Sequence, residues 1–365
     1  AIEHLGDVSD GNDALAQSAY YFIGQSYRKL DNKSLAAIAF EKACQMNFDR
    51  DTQEAAFYNY AVMQNEGSRT PFSKTIDMFE DFLNKFPHSR YSDDVEEYLV
   101  TVYMTGNDYN RALSSISHIK NPSDKVLAAK QAVLYKLGIE SLSNDNISEA
   151  QDYLIQAVEL AKYDKAIGAQ SNLWLAECYY RSGRFSTAEK YQKIYIGNVK
   201  PNDENYGLGY YNLGYSQFQQ KKYTDARTSF DKALKSSLAE KLQGDAYNRI
   251  GDTYYYSRDY ATAESYYDKA SRNGGADYSM YQKGIMLGLN KDFSGKVAQM
   301  NDLLDKYPNS TWAPAAMLEQ ADAYVLMNNN KKAISVYESL VKCYPSSAFG
   351  RKGLLQLAIT QRNAG

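Results

Sequence analysis

One pattern returns about every 37 residues along this chain and restricts what it can fold into. A small residue is followed by an aromatic three positions on and by small residues twelve and nineteen on, with a large apolar residue at sixteen. Counting from Gly24, these offsets land on Tyr27, Ala36, Phe40 and Ala43; counting from Gly251, they land on Tyr254, Ala263, Tyr267 and Ala270. The small position recurs at Ala61, Val100, Gly138, Ala176, Gly214, Gly251, Gly284, Ala321 and Ala358. A fixed period of this length marks a stacked array, in which each unit buries its apolar face only against its neighbours.

Within each unit the apolar offsets of three and four are the helical period. Each unit therefore reads as two amphipathic helices, A and B, joined by a short polar turn such as Leu30-Asp31-Asn32-Lys33 or Met327-Asn328-Asn329-Asn330. The expected fold is all-α: a right-handed superhelical solenoid of about nine helix-turn-helix repeats plus a terminal helix. Residues 1–365 read as a single continuous array, cut from a longer polypeptide. Residues 1–12 look like the tail of a preceding repeat, and 348–362 like the A helix of an incomplete final one.

The small residues imply close helix crossing. Gly or Ala on helix A is expected to face Ala on helix B, with the large residue at offset sixteen filling the space beside them. Two units depart from the pattern. The second has a turn longer by two, with Thr75, Phe79 and Phe82 carrying the helix-B spacing. The eighth has Lys283 and Lys296 at positions that are apolar or small elsewhere, which predicts loose packing and the lowest stability of the array. The segments 121–124 and 200–205 read as loops between repeats, and Gly207-x-Gly209 as a loop running into a helix.

These residues resemble the tetratricopeptide repeat family, whose pattern has an aromatic at position 4, Leu-Gly at 7 and 8, Tyr at 11, Ala at 20, an aromatic at 24 and Ala at 27. Tyr210, Leu213, Gly214, Ala226, Phe230 and Ala233 match it, as do Tyr20, Ile23, Gly24, Tyr27, Ala36, Phe40 and Ala43. The period exceeds the family's usual 34. The extra residues fall between helix B and the next helix A, as in Lys85-Phe86-Pro87-His88-Ser89, Lys306-Tyr307-Pro308-Asn309-Ser310 and Cys343-Tyr344-Pro345-Ser346-Ser347. Such segments are similar to those of long arrays in bacterial envelope proteins. That resemblance implies the periplasm or cell envelope of a Gram-negative bacterium over the cytoplasm.

Composition excludes several functions. Net charge is −3, from 41 basic and 44 acidic residues, and no basic run supplies the footprint a nucleic-acid binder needs. No apolar run approaches the length of a membrane span. Cys44, Cys178 and Cys343 match no zinc or redox spacing and read as small hydrophobes within helices. His4, His88 and His118 are the only histidines, and no metalloprotease, nucleophile-elbow or phosphate-loop motif is present. Asn144-Asp145-Asn146 lacks the glycine and distal glutamate of a calcium loop and reads as a turn. The chain is therefore expected to be non-catalytic, without cofactor or metal, and monomeric.

The remaining information lies on helix A. Positions 2, 5, 9 and 12 form one stripe beside the core stripe at 4, 7, 8 and 11, and the family resemblance implies that it lines the concave surface. Position 5 supplies Tyr21, Tyr58, Glu97, Tyr135, Tyr211 and Tyr281; position 9 supplies Glu177, Tyr215 and Asp252; position 12 supplies Arg28, Tyr180, Phe218 and Tyr255. These are the candidate partner-binding residues, centred on Tyr211, Tyr215, Phe218 and Tyr255, with Glu97, Glu177 and Asp252 favouring a basic partner. Tyrosine supplies rigid contact area with a hydrogen-bonding tip, although the same rings also suit packing between adjacent A helices. The function expected is a protein-protein interaction scaffold binding a protein or peptide segment. The alternatives are a glycan-binding surface, which requires rings exposed face-on, and an accessory domain of a larger envelope protein. The family's carboxylate clamp for chaperone tails is not matched, because Asn59 and Asn212 stand beside Tyr58 and Tyr211 where the clamp needs Lys.

Overall fold

The structure, a computed structural model, describes residues 2–66, 74–106 and 108–364. Among them are twenty α-helices and no strand. After α1 (Ile2–Ser9), helices follow in A–B order: α2 (Ala14–Lys29) and α3 (Lys33–Gln45), α4 (Arg50–Glu66) and α5 (Lys74–Lys85), α6 (Ser92–Thr105) and α7 (Tyr109–Ser117), α8 (Asp124–Ser143) and α9 (Ile147–Glu159). Next come α10 (Lys165–Arg181) and α11 (Phe185–Asn198), α12 (Tyr206–Gln219) and α13 (Tyr223–Leu234), α14 (Glu240–Tyr256) and α15 (Tyr260–Ser271). The last are α16 (Ala276–Leu289) and α17 (Phe293–Lys306), α18 (Ala313–Leu326) and α19 (Asn330–Cys343), and α20 (Ala348–Ala364). The chain forms two compact units, Ala1–Ser182 and Gly183–Gly365, parted in the turn of the fifth repeat. Within each unit most consecutive helices pack against one another. The lengthened turn expected in the second repeat lies at 67–73, outside the described residues, as does the side chain of Thr75.

The close A–B crossing is built differently from the expectation. The small helix-A residue meets the large residue sixteen positions on, not an alanine. A Cβ placed on Gly24 would lie 2.7 Å from the Phe40 ring, one on Gly214 2.8 Å from Phe230, and one on Gly251 2.6 Å from Tyr267. The rings occupy the space of the missing side chains and are wholly buried. Gly207 and Gly209 are likewise helical, inside α12, because Gly207 abuts the backbone of Leu238 and Gly209 abuts the Tyr195 ring.

The A–B turns share one geometry. Seven residues after the small position, the chain turns left-handed at Asp31, Asp145, Gly183, Lys221, Arg258, Lys291 and Asn328. The next residue returns an N–H to a carbonyl of the last helical turn, as in Asn32 to Tyr27, Lys222 to Gln217, Asp259 to Tyr254 and Asp292 to Leu287. This closes these A helices with a Schellman-type cap. In several repeats the same residue then caps helix B through its side chain, as Asn32, Asp259, Asp292 and Asn329 do. Asn144-Asp145-Asn146 is this turn, with Asp145 at its left-handed position.

The entry into the next repeat is held from position 1 of helix A. The Gln17 amide donates to the carbonyls of Ala43, Met46 and Asp49 and accepts from the N–H groups of Phe48 and Asp49. Gln131 makes the same two-way contact with the backbone of Asp164. In two of the three loops that carry Pro-x-Ser, an acid takes over: Glu54 accepts from the Ser89 hydroxyl, and Asp277 from Ser310 at 2.7 Å.

The eighth repeat accommodates both of its lysines. The Lys296 stem lies on Gly288 and its ammonium meets Glu319 at 2.5 Å, while Lys283 pairs with Asp268. A long side chain can bury its methylenes and still find a carboxylate, so the substitution changes the packing partner and leaves no hole. The cysteines differ from the expectation in one case. Cys178 is buried and Cys44 partly so, and burial pushes both thiols up to about 11, but Cys343 is exposed.

Candidate interaction surface

In the first unit Arg28 and Tyr58 are tied to the following repeat, and Tyr21 and Glu177 to their own. The Arg28 guanidinium donates to Asn59 at 2.8 Å. The Tyr58 ring stacks on Tyr91 with centroids 4.2 Å apart, and its hydroxyl reaches Asp94 at 3.4 Å. Tyr21 packs edgewise on Phe22 and tilts over Phe40, and its hydroxyl accepts from Gln25. Glu177 holds Arg181 at 2.7 Å, and Glu97 is exposed. Tyr135 and Tyr180 are half-buried.

In the second unit the proposed centre divides in two. Tyr211 and Tyr215 pack edge-to-face on each other and on Phe230, and both hydroxyls donate to one carboxylate oxygen of Asp245 on α14. Burial and the Asp245 charge push both phenols far above their usual range. Phe218 and Tyr255 belong elsewhere. Phe218 lies edgewise on Tyr223 and Tyr256, while Tyr255 packs on Tyr256 and Tyr260, toward the A–B turn. Tyr281 stacks on Trp312 at 5.1 Å, repeating the Tyr58–Tyr91 arrangement; burial and the Glu319 charge lift its hydroxyl to about 12.

Asp252 is corrected outright. It is 3% exposed, and one of its oxygens accepts from both the Tyr267 and Tyr278 hydroxyls, at 2.8 and 2.9 Å. Arg249 stands 2.6 Å from the other oxygen. Asp252 thus faces the helix-B ring fifteen residues on and is a core group; Asp322 and Tyr337 repeat the pairing. Burial disfavours both charges of the ion pair. For Arg249 the carboxylate outweighs that cost, whereas for Asp252 burial prevails and lifts the carboxyl to about 6.

Sequence reasoning missed Asp245 and Arg249. Asp245 sits at position 2 of the stripe, its side chain 37% exposed, with Arg249 one turn on at 3.5 Å. The signal was present as Asp-x-x-x-Arg on a helix face, but two tyrosines from the preceding repeat select this carboxylate. One ring face of Tyr58 is covered by Tyr91, and one of Tyr281 by Trp312.

A stack of paired helices with small-on-large crossings, whose helix-A stripe carries preorganised tyrosine–carboxylate groups, defines a helical-repeat scaffold. Tetratricopeptide repeat profiles match residues 135–203 and 211–278, 17–50 and 315–347, together more than half of the chain. The chain belongs to the tetratricopeptide repeat family, whose members are generally protein-interaction scaffolds and typically non-enzymatic. Among solved structures, a signal-transduction ATPase with a tetratricopeptide repeat sensor from Pyrococcus horikoshii is 16% identical, with TM-score 0.55, over 87% of this chain and 50% of its own. PilW, a type IV pilus biogenesis factor, is 15% identical, with TM-score 0.50, over 61% of this chain and 98% of its own. These are likenesses of fold. No curated protein sequence matches the chain. No described helix is long and apolar enough to cross a membrane.

Proposed function

We propose that this chain is a non-catalytic scaffold that holds a protein or peptide segment on the helix-A stripe, with the strongest contact at Tyr211, Tyr215 and Asp245. The observation that carries the reading is the shared carboxylate: two phenols from one repeat fix an acid of the next, and that acid keeps more than a third of its side chain in solvent. Rigid rings and a fixed polar group lose little entropy on binding, which is what an anchor of a recognition surface requires. The half-exposed Asp245 and the exposed Glu97 favour a segment carrying Lys, Arg or backbone N–H donors. An envelope location follows only from the Pro-x-Ser loops between repeats, and PilW, named for pilus biogenesis, is compatible with it.

A photo-crosslinking residue at Tyr211 tests the proposal against the same residue at Lys190, on helix B. A polypeptide crosslinked from position 211 and not from 190, and lost in Asp245→Ala, supports the stripe. Equal crosslinking from both positions refutes it.

A further inference from the structure

One oxygen of Asp245 is filled and the other is open. Oδ2 accepts from the hydroxyls of both Tyr211, at 2.8 Å, and Tyr215, which uses its two lone pairs. Oδ1 accepts no hydrogen bond among the described residues. Arg249 Nε stands 3.5 Å from it and makes no hydrogen bond, while Nη1 of the same guanidinium holds Asp252 at 2.6 Å. The phenols donate to Asp245, so each phenolic oxygen keeps acceptor capacity of its own. Three acceptors therefore adjoin one carboxyl group: Asp245 Oδ1, Tyr211 Oη and Tyr215 Oη. The local charge is negative. At neutral pH Asp245 and Asp252 set two carboxylates against the single Arg249 guanidinium. One turn earlier on α14, Glu240 and Lys241 are both exposed and offset each other.

We propose that this group recognises a lysine side chain of the bound segment, its ammonium seated on Asp245 Oδ1 and the two phenolic oxygens. The inference rests on the reading that Tyr211, Tyr215 and Asp245 anchor the partner. An ammonium is a compact charge with three diverging donors, which suits three acceptors lying in different directions. A guanidinium gains its advantage by gripping both oxygens of a carboxylate at once. That grip is blocked here, because two hydroxyls already fill Oδ2. A backbone N–H brings a single donor and no charge. The half-buried rings of Tyr211 and Tyr215 also offer apolar surface to the methylene stem of a lysine. The two phenols thus set specificity: they close one side of the carboxylate and leave a place for a point charge.

The test selects bead-displayed random nonapeptides on the full chain and measures synthetic copies of the enriched peptides by fluorescence anisotropy. Peptides whose binding is lost in Tyr211→Ala, shown by circular dichroism to be folded, are those held at the stripe. Among them one position is expected to be fixed as lysine. Replacing that lysine by arginine is expected to weaken binding about tenfold, the worth of one hydrogen bond to a charged group. Acetylating it, or changing Asp245→Asn in the protein, is expected to abolish binding. The double variant Tyr211→Phe, Tyr215→Phe frees Oδ2 and is expected to reverse the preference in favour of arginine, which a purely structural role for the phenols would not do. Stripe-bound peptides that lack a fixed lysine, that accept arginine equally well, or that keep the lysine preference in the double variant overturn the lysine assignment and leave the anchor standing. A selection that yields no peptide sensitive to Tyr211→Ala overturns both.

Discussion

Replacing Gly251 by alanine separates the two opposing contributions of a helical glycine. In an open helix the change stabilises by up to about 1 kcal/mol, because alanine is the better helix former. Here the new methyl would lie 2.6 Å from Cε1 and 2.9 Å from Cδ1 of Tyr267. The ring has nowhere to go: it is fully buried and its hydroxyl is held by Asp252 at 2.8 Å. Overpacking of this kind costs about 1–3 kcal/mol, so with the full propensity gain subtracted the net destabilisation is up to about 2 kcal/mol. Three other glycines calibrate it. A Cβ on Gly197 meets nothing within 4 Å, one on Gly284 clashes with the end of the flexible Met300 side chain, and one on Gly244 lies 2.3 Å from the Asn273 carbonyl oxygen. Stability should therefore fall in the order Gly197→Ala, Gly284→Ala, Gly251→Ala, Gly244→Ala. Urea unfolding by circular dichroism gives the order. Hydrogen exchange localises the loss, which in a stacked array should concentrate in α14, α15 and their neighbours. If Gly251→Ala is as stable as Gly197→Ala, the ring-over-glycine contact does not control the crossing.

Further outcomes follow from the buried charges and the turns. Burial raises the Glu189 carboxyl, but hydrogen bonds from Lys193, Lys222 and Gln220 outweigh it and hold it down at about 2. The stability this supplies is complete above the unfolded value of 4.5 and is lost as pH falls from there toward 2; Lys222→Met should flatten that acid limb in melting experiments. Asp252 has the opposite sign. Its folded value of about 6 exceeds the unfolded 3.8, so stability declines as pH rises between them. Arg249→Met should cost on the order of 3 kcal/mol and carry that decline to higher pH; a melting profile parallel to the parent's would count against a charged pair. Removing the strain at the turn should raise the melting temperature of Lys221→Gly, Arg258→Gly, Lys291→Gly, each change contributing about 0.5 kcal/mol after the entropy of glycine is subtracted. A lower melting temperature would show that the side chains stabilise the turn.

The array was legible in the sequence because a repeat encodes its own local structure. The offsets from Gly24 and Gly251 gave the helices, their pairing and the positions of the turns, and the family profiles agree with that register. The role of individual side chains was less legible. Tyr211, Tyr215 and Asp252 occupy the same stripe by periodicity. Yet the first two donate to Asp245, thirty or more residues on, while Asp252 is enclosed by Tyr267, Tyr278 and Arg249.

What the sequence determined by itself was the local pattern: about nine all-helical helix-turn-helix repeats, the small-to-large spacing of each crossing, and the absence of any catalytic motif. Tertiary structure alone decided which ring covers which glycine, which acid each tyrosine finds in the next repeat, and that Lys221, Arg258 and Lys291 share one left-handed position. The physical reason is the range of the interactions. Helical period and capping depend on neighbours within a turn or two, whereas burial and hydrogen-bond partners are set by the stacking of successive repeats, which brings together residues some thirty positions apart.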